Sequence, residues 1–280
     1  MIELNNMCFA YSKNRTIFEN ISLNLEGNHI YGLLGKNGAG KTTLLKNMAG
    51  LRFPQSGDCK VFGMESKERR AEMLENIYFL SEEIWLPNVS IPAYLKMYAD
   101  SYPKFSTELF NRCLNEFEIN AKDKLRNMSF GQRKKMAISF ALATQCKVLI
   151  FDEPTNGLDI PSKGQFRKLS AEVLDTDRCI ILSTHQVRDL ESLIDTIIIL
   201  DNKEILLNNT VDQICERLIF KTLYSLENQP DLLYSEFTPK GYIAVTKNLN
   251  GTESKIDLEV LFNMSTQNPD LIKQLFTIKS

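Results

Sequence analysis

The sequence predicts an α/β domain with a largely parallel sheet, and three observations predict it. His29 to Leu34 is a compact apolar run that ends in Gly35, and a glycine-rich loop follows it. Leu44, Leu45 and Met48 come next at helical spacing. Val148 to Phe151 and Ile180 to Leu182 are wholly apolar, as buried parallel strands are, and a helical stretch separates them. Strands alternating with helices in this way indicate an α/β layer architecture.

The other elements follow in chain order. Residues 1 to 34 read as strands: Ile21, Leu23 and Leu25 alternate with Ser22 and Asn24, and Glu26-Gly27-Asn28 is a turn. Gly50 and Pro54 stop the helix after the glycine loop. Residues 65 to 76 are charged and helix-prone, and Tyr78, Phe79 and Leu80 make a short strand. From about Ile91 to Cys146 the chain reads as mostly helical. Leu109, Phe110, Cys113, Leu114 and Phe117 form one apolar stripe. Met136, Phe140 and Ala143 form another, after a polar start at Gly131-Gln132-Arg133-Lys134. Ile197 to Leu200 and Ile205 to Leu207 read as a hairpin around Asp201-Asn202-Lys203-Glu204. After about Arg217 short β-like pieces and two short helices, Leu258 to Phe262 and Leu271 to Phe276, read as a small α+β appendage. The expected division is a main domain over 1–215, with a helical subdomain at about 88–145, and an appendage over 216–280.

Bulk properties narrow the classes. The chain has 280 residues and a formal net charge of -2, which argues against broad binding to nucleic acid. No run approaches the roughly 20 apolar residues of a membrane helix. Met1-Ile2-Glu3-Leu4 lacks the basic start and apolar core of a signal peptide. The six cysteines form no C-x-x-C pair or zinc spacing, and reduced thiols in a cytosolic protein are the expectation.

The sharpest chemical signal is Gly35-Lys36-Asn37-Gly38-Ala39-Gly40-Lys41-Thr42-Thr43. It fits G-x-x-x-x-G-K-[ST] and falls between strand and helix, the context that motif requires. Its N–H groups and the helix start suit phosphate oxygens. Lys41 would neutralise the β- and γ-phosphates, and the Thr42 hydroxyl would ligate Mg²⁺. The second signal is the apolar strand that ends in Asp152-Glu153. At the carboxyl edge of a sheet, Asp152 would hold Mg²⁺ through its water shell and Glu153 would polarise an attacking water. Acids also end many strands simply because the chain surfaces there, so this pattern gains its weight from the phosphate loop upstream.

Asn127-Met128-Ser129-Phe130-Gly131-Gln132-Arg133 lies upstream of that strand and resembles the L-S-G-G-Q signature of ATP-binding cassette (ABC) ATPases. A simple helix cap by Ser129 is the alternative. Three further matches extend the resemblance over about residues 1 to 215. Pro154-Thr155-Asn156-Gly157-Leu158-Asp159 resembles the family's D-loop, with Asp159 at a dimer interface. Ser183-Thr184-His185 resembles the switch-histidine segment, with His185 toward the γ-phosphate. Tyr11 stands where the family has an aromatic that stacks on adenine; a core or loop role for the ring is the alternative. The resemblance implies a P-loop nucleotide-binding domain of ABC type, with an antiparallel β subdomain and a helical subdomain. It implies ATP as ligand with Mg²⁺, and Ser129, Gly131 and Gln132 facing the γ-phosphate held by a second subunit.

Two departures stand out. The family has a glutamine after the strand Tyr78-Phe79-Leu80, and Glu82 aligns with it here. A carboxylate there can still offer Mg²⁺ an oxygen, but it adds negative charge beside the phosphates; a solvated loop acid is the alternative. Phe130 replaces the first glycine of the signature, which implies altered ATP affinity or dimer closure. A chain with both halves of the site implies a homodimer. The expected role is Mg-dependent ATP hydrolysis for an ABC transporter, export being favoured by the short tail. The expected partner is a separate transmembrane permease, which would hold this otherwise cytoplasmic chain on the inner face of the cell membrane. A non-transport ABC ATPase acting on nucleic acid or the ribosome, or a binding-only regulator, are the competing readings.

Overall fold

The computed structural model describes residues 1–175, 177–227 and 229–276. In chain order it runs β1 (Ile2–Ser12), β2 (Arg15–Leu25), β3 (His29–Leu34), α1 (Lys41–Met48), β4 (Ser56–Val61), β5 (Met64–Glu65), α2 (Ala71–Leu74) and β6 (Ile77–Leu80). Then come α3 (Ile91–Tyr98), α4 (Thr107–Glu116), α5 (Phe130–Ala143), β7 (Val148–Asp152), α6 (Ile160–Val173), β8 (Cys179–Thr184), β9 (Thr196–Asp201) and β10 (Glu204–Thr210). The last elements are α7 (Val211–Arg217), β11 (Leu218–Leu223), β12 (Leu232–Thr238), β13 (Gly241–Lys247), α8 (Leu258–Gln267) and α9 (Pro269–Phe276).

The central sheet has the order β10-β9-β3-β8-β7-β6. All its pairings are parallel except the β9–β10 hairpin. Side chains alternate across a strand, so each central strand feeds two cores. Tyr31, Leu33, Val148, Ile150 and Ile181 face the layer made by α1 and the sheet β2-β1-β4-β5. Ile30, Leu149, Phe151, Ile180 and Leu182 face the layer made by α5, α6 and the helical subdomain. Burial on both faces explains why these strands read as unbroken apolar runs.

Within the helical subdomain the rings of Tyr94, Tyr102, Phe105 and Phe110 surround the buried ring of Phe140 on α5. Phe140→Ala is therefore expected to destabilise the fold by about 3–5 kcal/mol, read as a lower midpoint in urea unfolding.

In the helix-prone stretch 65–76, Glu65 ends β5, a 3₁₀ turn covers Ser66–Glu68 and α2 covers Ala71–Leu74. The expected boundary at residue 215 falls inside α7. The sheet β11-β13-β12 does follow it, but α8 packs on β9 and α9 on β10. Leu258, Leu261, Met264 and Ile272 lie in the same core as Leu182 and Ile199.

Candidate functional site

The strand order places four chemically loaded loops side by side. The phosphate loop follows β3, His185 follows β8, Glu153 follows β7 and Glu82 follows β6, all at the carboxyl edge of adjacent parallel strands. Open α/β sheets bind ligands at that edge. Between the loops lies a cleft of about 550 Å³, lined by Tyr11, Arg15, Asn37, Lys41, Glu153 and His185 among others.

The phosphate loop owes its path to Gly40, which caps α1 with φ of 104°. A Cβ at Gly40 would lie 2.6 Å from the Ile17 side chain, so only glycine fits here. Gly38, Gly40, Thr42 and Thr43 line the cleft with Asn37 and Lys41. Ala39 does not; its N–H closes a turn on the Lys36 carbonyl. Lys41 is buried, and its Nζ donates to the carbonyl of Gly35 at 2.8 Å and lies 3.9 Å from Glu153 Oε1. Burial pulls its pKa below the usual lysine value, while Glu153, Asp152 and Glu82 oppose the shift.

Behind the loop the Thr42 hydroxyl donates to Asp152 Oδ2 at 2.7 Å. Ser183 Oγ donates to the other oxygen, Asp152 Oδ1, at 2.5 Å. The same Ser183 oxygen accepts the Glu153 N–H at 3.0 Å. Glu153 is 5% exposed, and its carboxylate meets His185 Nδ1 at 2.9 Å. In the sequence Ser183 only opens the segment that ends in His185, with no motif of its own. Its hydroxyl orients both acids, and its place at the end of β8, in register with Asp152, was the available signal.

Glu82 lines the cleft, yet its Oε1 accepts from Asn156 Nδ2 at 2.9 Å and not from Thr42. Tyr11 stands in the cleft wall 45% exposed, with its hydroxyl 2.9 Å from Thr43 Oγ1. Phe9 packs edge-on against it, and the Arg15 guanidinium lies 5.5 Å from the ring centroid. Arg15 opens β2, and a lone arginine at the start of a strand carries no sequence motif.

Ser129, Gly131, Gln132 and Asp159 lie outside this cleft. Ser129 caps α5 in a reciprocal capping box with Gln132. Asp159 caps α6, and the hydroxyl and N–H of Ser162 draw its pKa down. Phe130 is half-exposed, and its ring covers Gly157, where φ of 79° and a ring carbon 2.3 Å from any Cβ both demand glycine. The Phe130 ring is thus accommodated by the missing side chain of Gly157. Lys134, read from the sequence as part of a polar helix start, is instead wholly buried.

A glycine loop at a helix start, facing acids on neighbouring strand ends, defines the P-loop class of nucleotide-hydrolysing domains. Within that class the chain belongs to the family of ABC transporter ATP-binding proteins and is an ATPase of that family. Residues 18–156 match the family described as ABC transporter. The linearmycin resistance ATP-binding protein LnrL of Bacillus subtilis is 31% identical over 232 residues, 81% of this chain and 74% of the relative. The ABC transporter ATP-binding protein YtrB of the same organism is 28% identical over 220 residues, 78% of this chain and 75% of the relative. A relative named for methionine import, MetN of Carboxydothermus hydrogenoformans, matches at 28% identity over 76% of this chain and 67% of its own length. The dimeric, post-hydrolysis structure of the ATP-binding cassette MJ0796 with ADP and Pi superposes with a TM-score of 0.66 at 20% identity, over 75% of this chain and 99% of that one.

Proposed function

We propose that two copies of this chain close on two ATP molecules, hydrolyse them, and so drive a separate membrane permease in the direction of export. The observation that carries the reading is the meeting of Lys41, Thr42–Asp152 and Glu153–His185 at one strand edge. The phosphate loop and Lys41 bind and orient the nucleotide. The oxygens of Thr42 and Asp152 are hard donors of the kind Mg²⁺ takes. Among the described residues no cluster of three or more His, Cys, Asp or Glu is placed to hold a metal by itself. Thr42 and Asp152 would hold the ion, which would supply positive charge against the nucleotide's phosphates. Glu153, nearly dry and fixed by His185, accepts the proton of the attacking water. Dimer closure brings Ser129 and Gly131 of each copy, now outside their own cleft, to the other copy's nucleotide.

Among the described residues no helix is long and apolar enough to cross a membrane. In this reading the membrane step falls to a permease partner, as it does for the family of ABC transporter ATP-binding proteins. Trp85, 80% exposed three residues after Glu82, offers that partner an apolar contact beside the nucleotide cleft. Likeness to a resistance protein favours export. Pull-down of the tagged chain from detergent-solubilised membranes is the test. A stoichiometric multi-span protein supports the reading and indicates direction; ribosomes, nucleic acid or no partner overturn the transport role.

Tyr11 supplies the base platform. Tyr11→Ala is expected to weaken ATP and GTP about equally, by roughly fivefold, because stacking is worth about 1 kcal/mol and every base has a π-face. Unchanged nucleotide affinity in a calorimetric titration excludes that role.

A further inference from the structure

Behind the cleft sits a cation that the hydrolytic scheme leaves without a task. Lys134 lies in the second turn of α5 and is wholly buried. Lysine is among the side chains least often found fully buried, because an ammonium taken out of water loses several kcal/mol of solvation. Its Nζ donates to the main-chain carbonyls of Glu153 at 3.0 Å and of Glu82 at 3.3 Å. These bonds join three separate segments: the helix that begins at Ser129, the loop after β7 and the loop after β6.

Two observations indicate what the junction does. The first is conformational. Glu153 has φ of 48°, the left-handed region, where a residue with a Cβ is strained and must be held from outside. Ser183 holds its N–H and Lys134 holds its carbonyl. The second is electrostatic. Glu82, Asp152 and Glu153 all favour the charged form of Lys134, Glu82 most strongly, against a burial that pulls the ammonium down to about 8. The same three acids act on Lys41. A carboxylate at position 82 therefore joins a site that already holds two acids and must still receive the phosphates of ATP.

We infer that Lys134 is a positioning residue that locks the main chain at Glu153 and Glu82 onto the signature helix and supplies the counter-charge to a carboxylate at position 82. The inference rests on the ATPase reading above. It makes residues 82 and 134 an energetic pair: a neutral side chain at 134 is tolerated when position 82 is neutral, and is not when position 82 carries a carboxylate.

The test is a double-mutant cycle of Lys134→Gln and Glu82→Gln, with KM and kcat for ATP measured separately in Mg²⁺ and melting temperature as a control. Glutamine keeps an N–H donor and removes the charge. In the Glu82 chain, Lys134→Gln is expected to raise KM about tenfold, whereas in the Glu82→Gln chain the same change moves KM by less than about threefold, so that Glu82→Gln rescues the variant. The fall in kcat from a loosened Glu153 persists in both backgrounds. Equal KM changes in the two backgrounds overturn the inference. Where Lys134→Gln does not fold, Lys134→Arg takes its place, since it keeps the charge while altering the donor geometry. It is expected to lower kcat with KM near the wild-type value, and a KM rise of about tenfold with kcat unchanged overturns the inference. An inactive wild-type chain would instead sink the ATPase reading, so the two failures are told apart.

Discussion

Glu153→Gln is expected to lower kcat for ATP hydrolysis by about 10²- to 10⁴-fold, the range a positioned general base contributes. Glutamine matches the size of the buried side chain and can still pair with His185, so the fold and the nucleotide pocket persist. What it lacks is a basic oxygen for the water proton. KM is expected to stay within a few-fold of wild type, and phosphate release read by a coupled assay checks both constants. With turnover stopped, ATP accumulates in the closed state, and light scattering should then register twice the mass of the chain. A variant that hydrolyses ATP at the wild-type rate removes Glu153 from the chemistry. One that binds ATP yet stays monomeric removes the homodimer.

Lys41→Ala is expected to act on binding. The ammonium is held inside the loop by the Gly35 and Lys36 carbonyls, so it is preorganised for the phosphates before they arrive. A charged hydrogen bond is worth about 1.5–3 kcal/mol, and its loss weakens ATP by about 10- to 10²-fold. Removing the cation also takes from Glu153 the ammonium 3.9 Å away that offsets its charge, which adds to the loss. Lys41→Arg is expected to restore little, since a planar fork cannot follow the ammonium's path inside the closed loop. Calorimetric titration with ATP in Mg²⁺ decides it: wild-type affinity in Lys41→Ala would show that the loop's N–H groups suffice.

The parts of the site legible in the sequence are those in which chemistry demands neighbours along the chain. Gly40, Lys41 and Thr42 must be contiguous to wrap a phosphate, and Asp152 and Glu153 must follow an apolar strand to stand at its end. Other parts depend on packing between distant segments. Lys134 follows three polar residues at a helix start, a pattern that ordinarily marks a solvated face. Only the return of β6 and β7 to the same edge encloses it. Ser183 has a bond pattern that depends on its register with Asp152, which no local period encodes. The order β9-β3-β8-β7-β6 was likewise beyond reach, because alternating strands and helices announce a parallel sheet without ranking its strands.

The packing of α8 on β9 and of α9 on β10 has a consequence for descent. Residues 258–276 line the same interior as the central sheet, with Leu261, Met264 and Ile272 fully enclosed. Tail and body are therefore not free to drift apart: a change of volume on β9 or β10 must be answered on the helix that covers it. A tail exchanged between two distant relatives brings the wrong lining to the sheet and leaves both pieces ill-fitted. In the hairpin β12–β13 only the outward positions, such as the 76% exposed Phe237, escape this bond, since Val245 of β13 is enclosed in the same core.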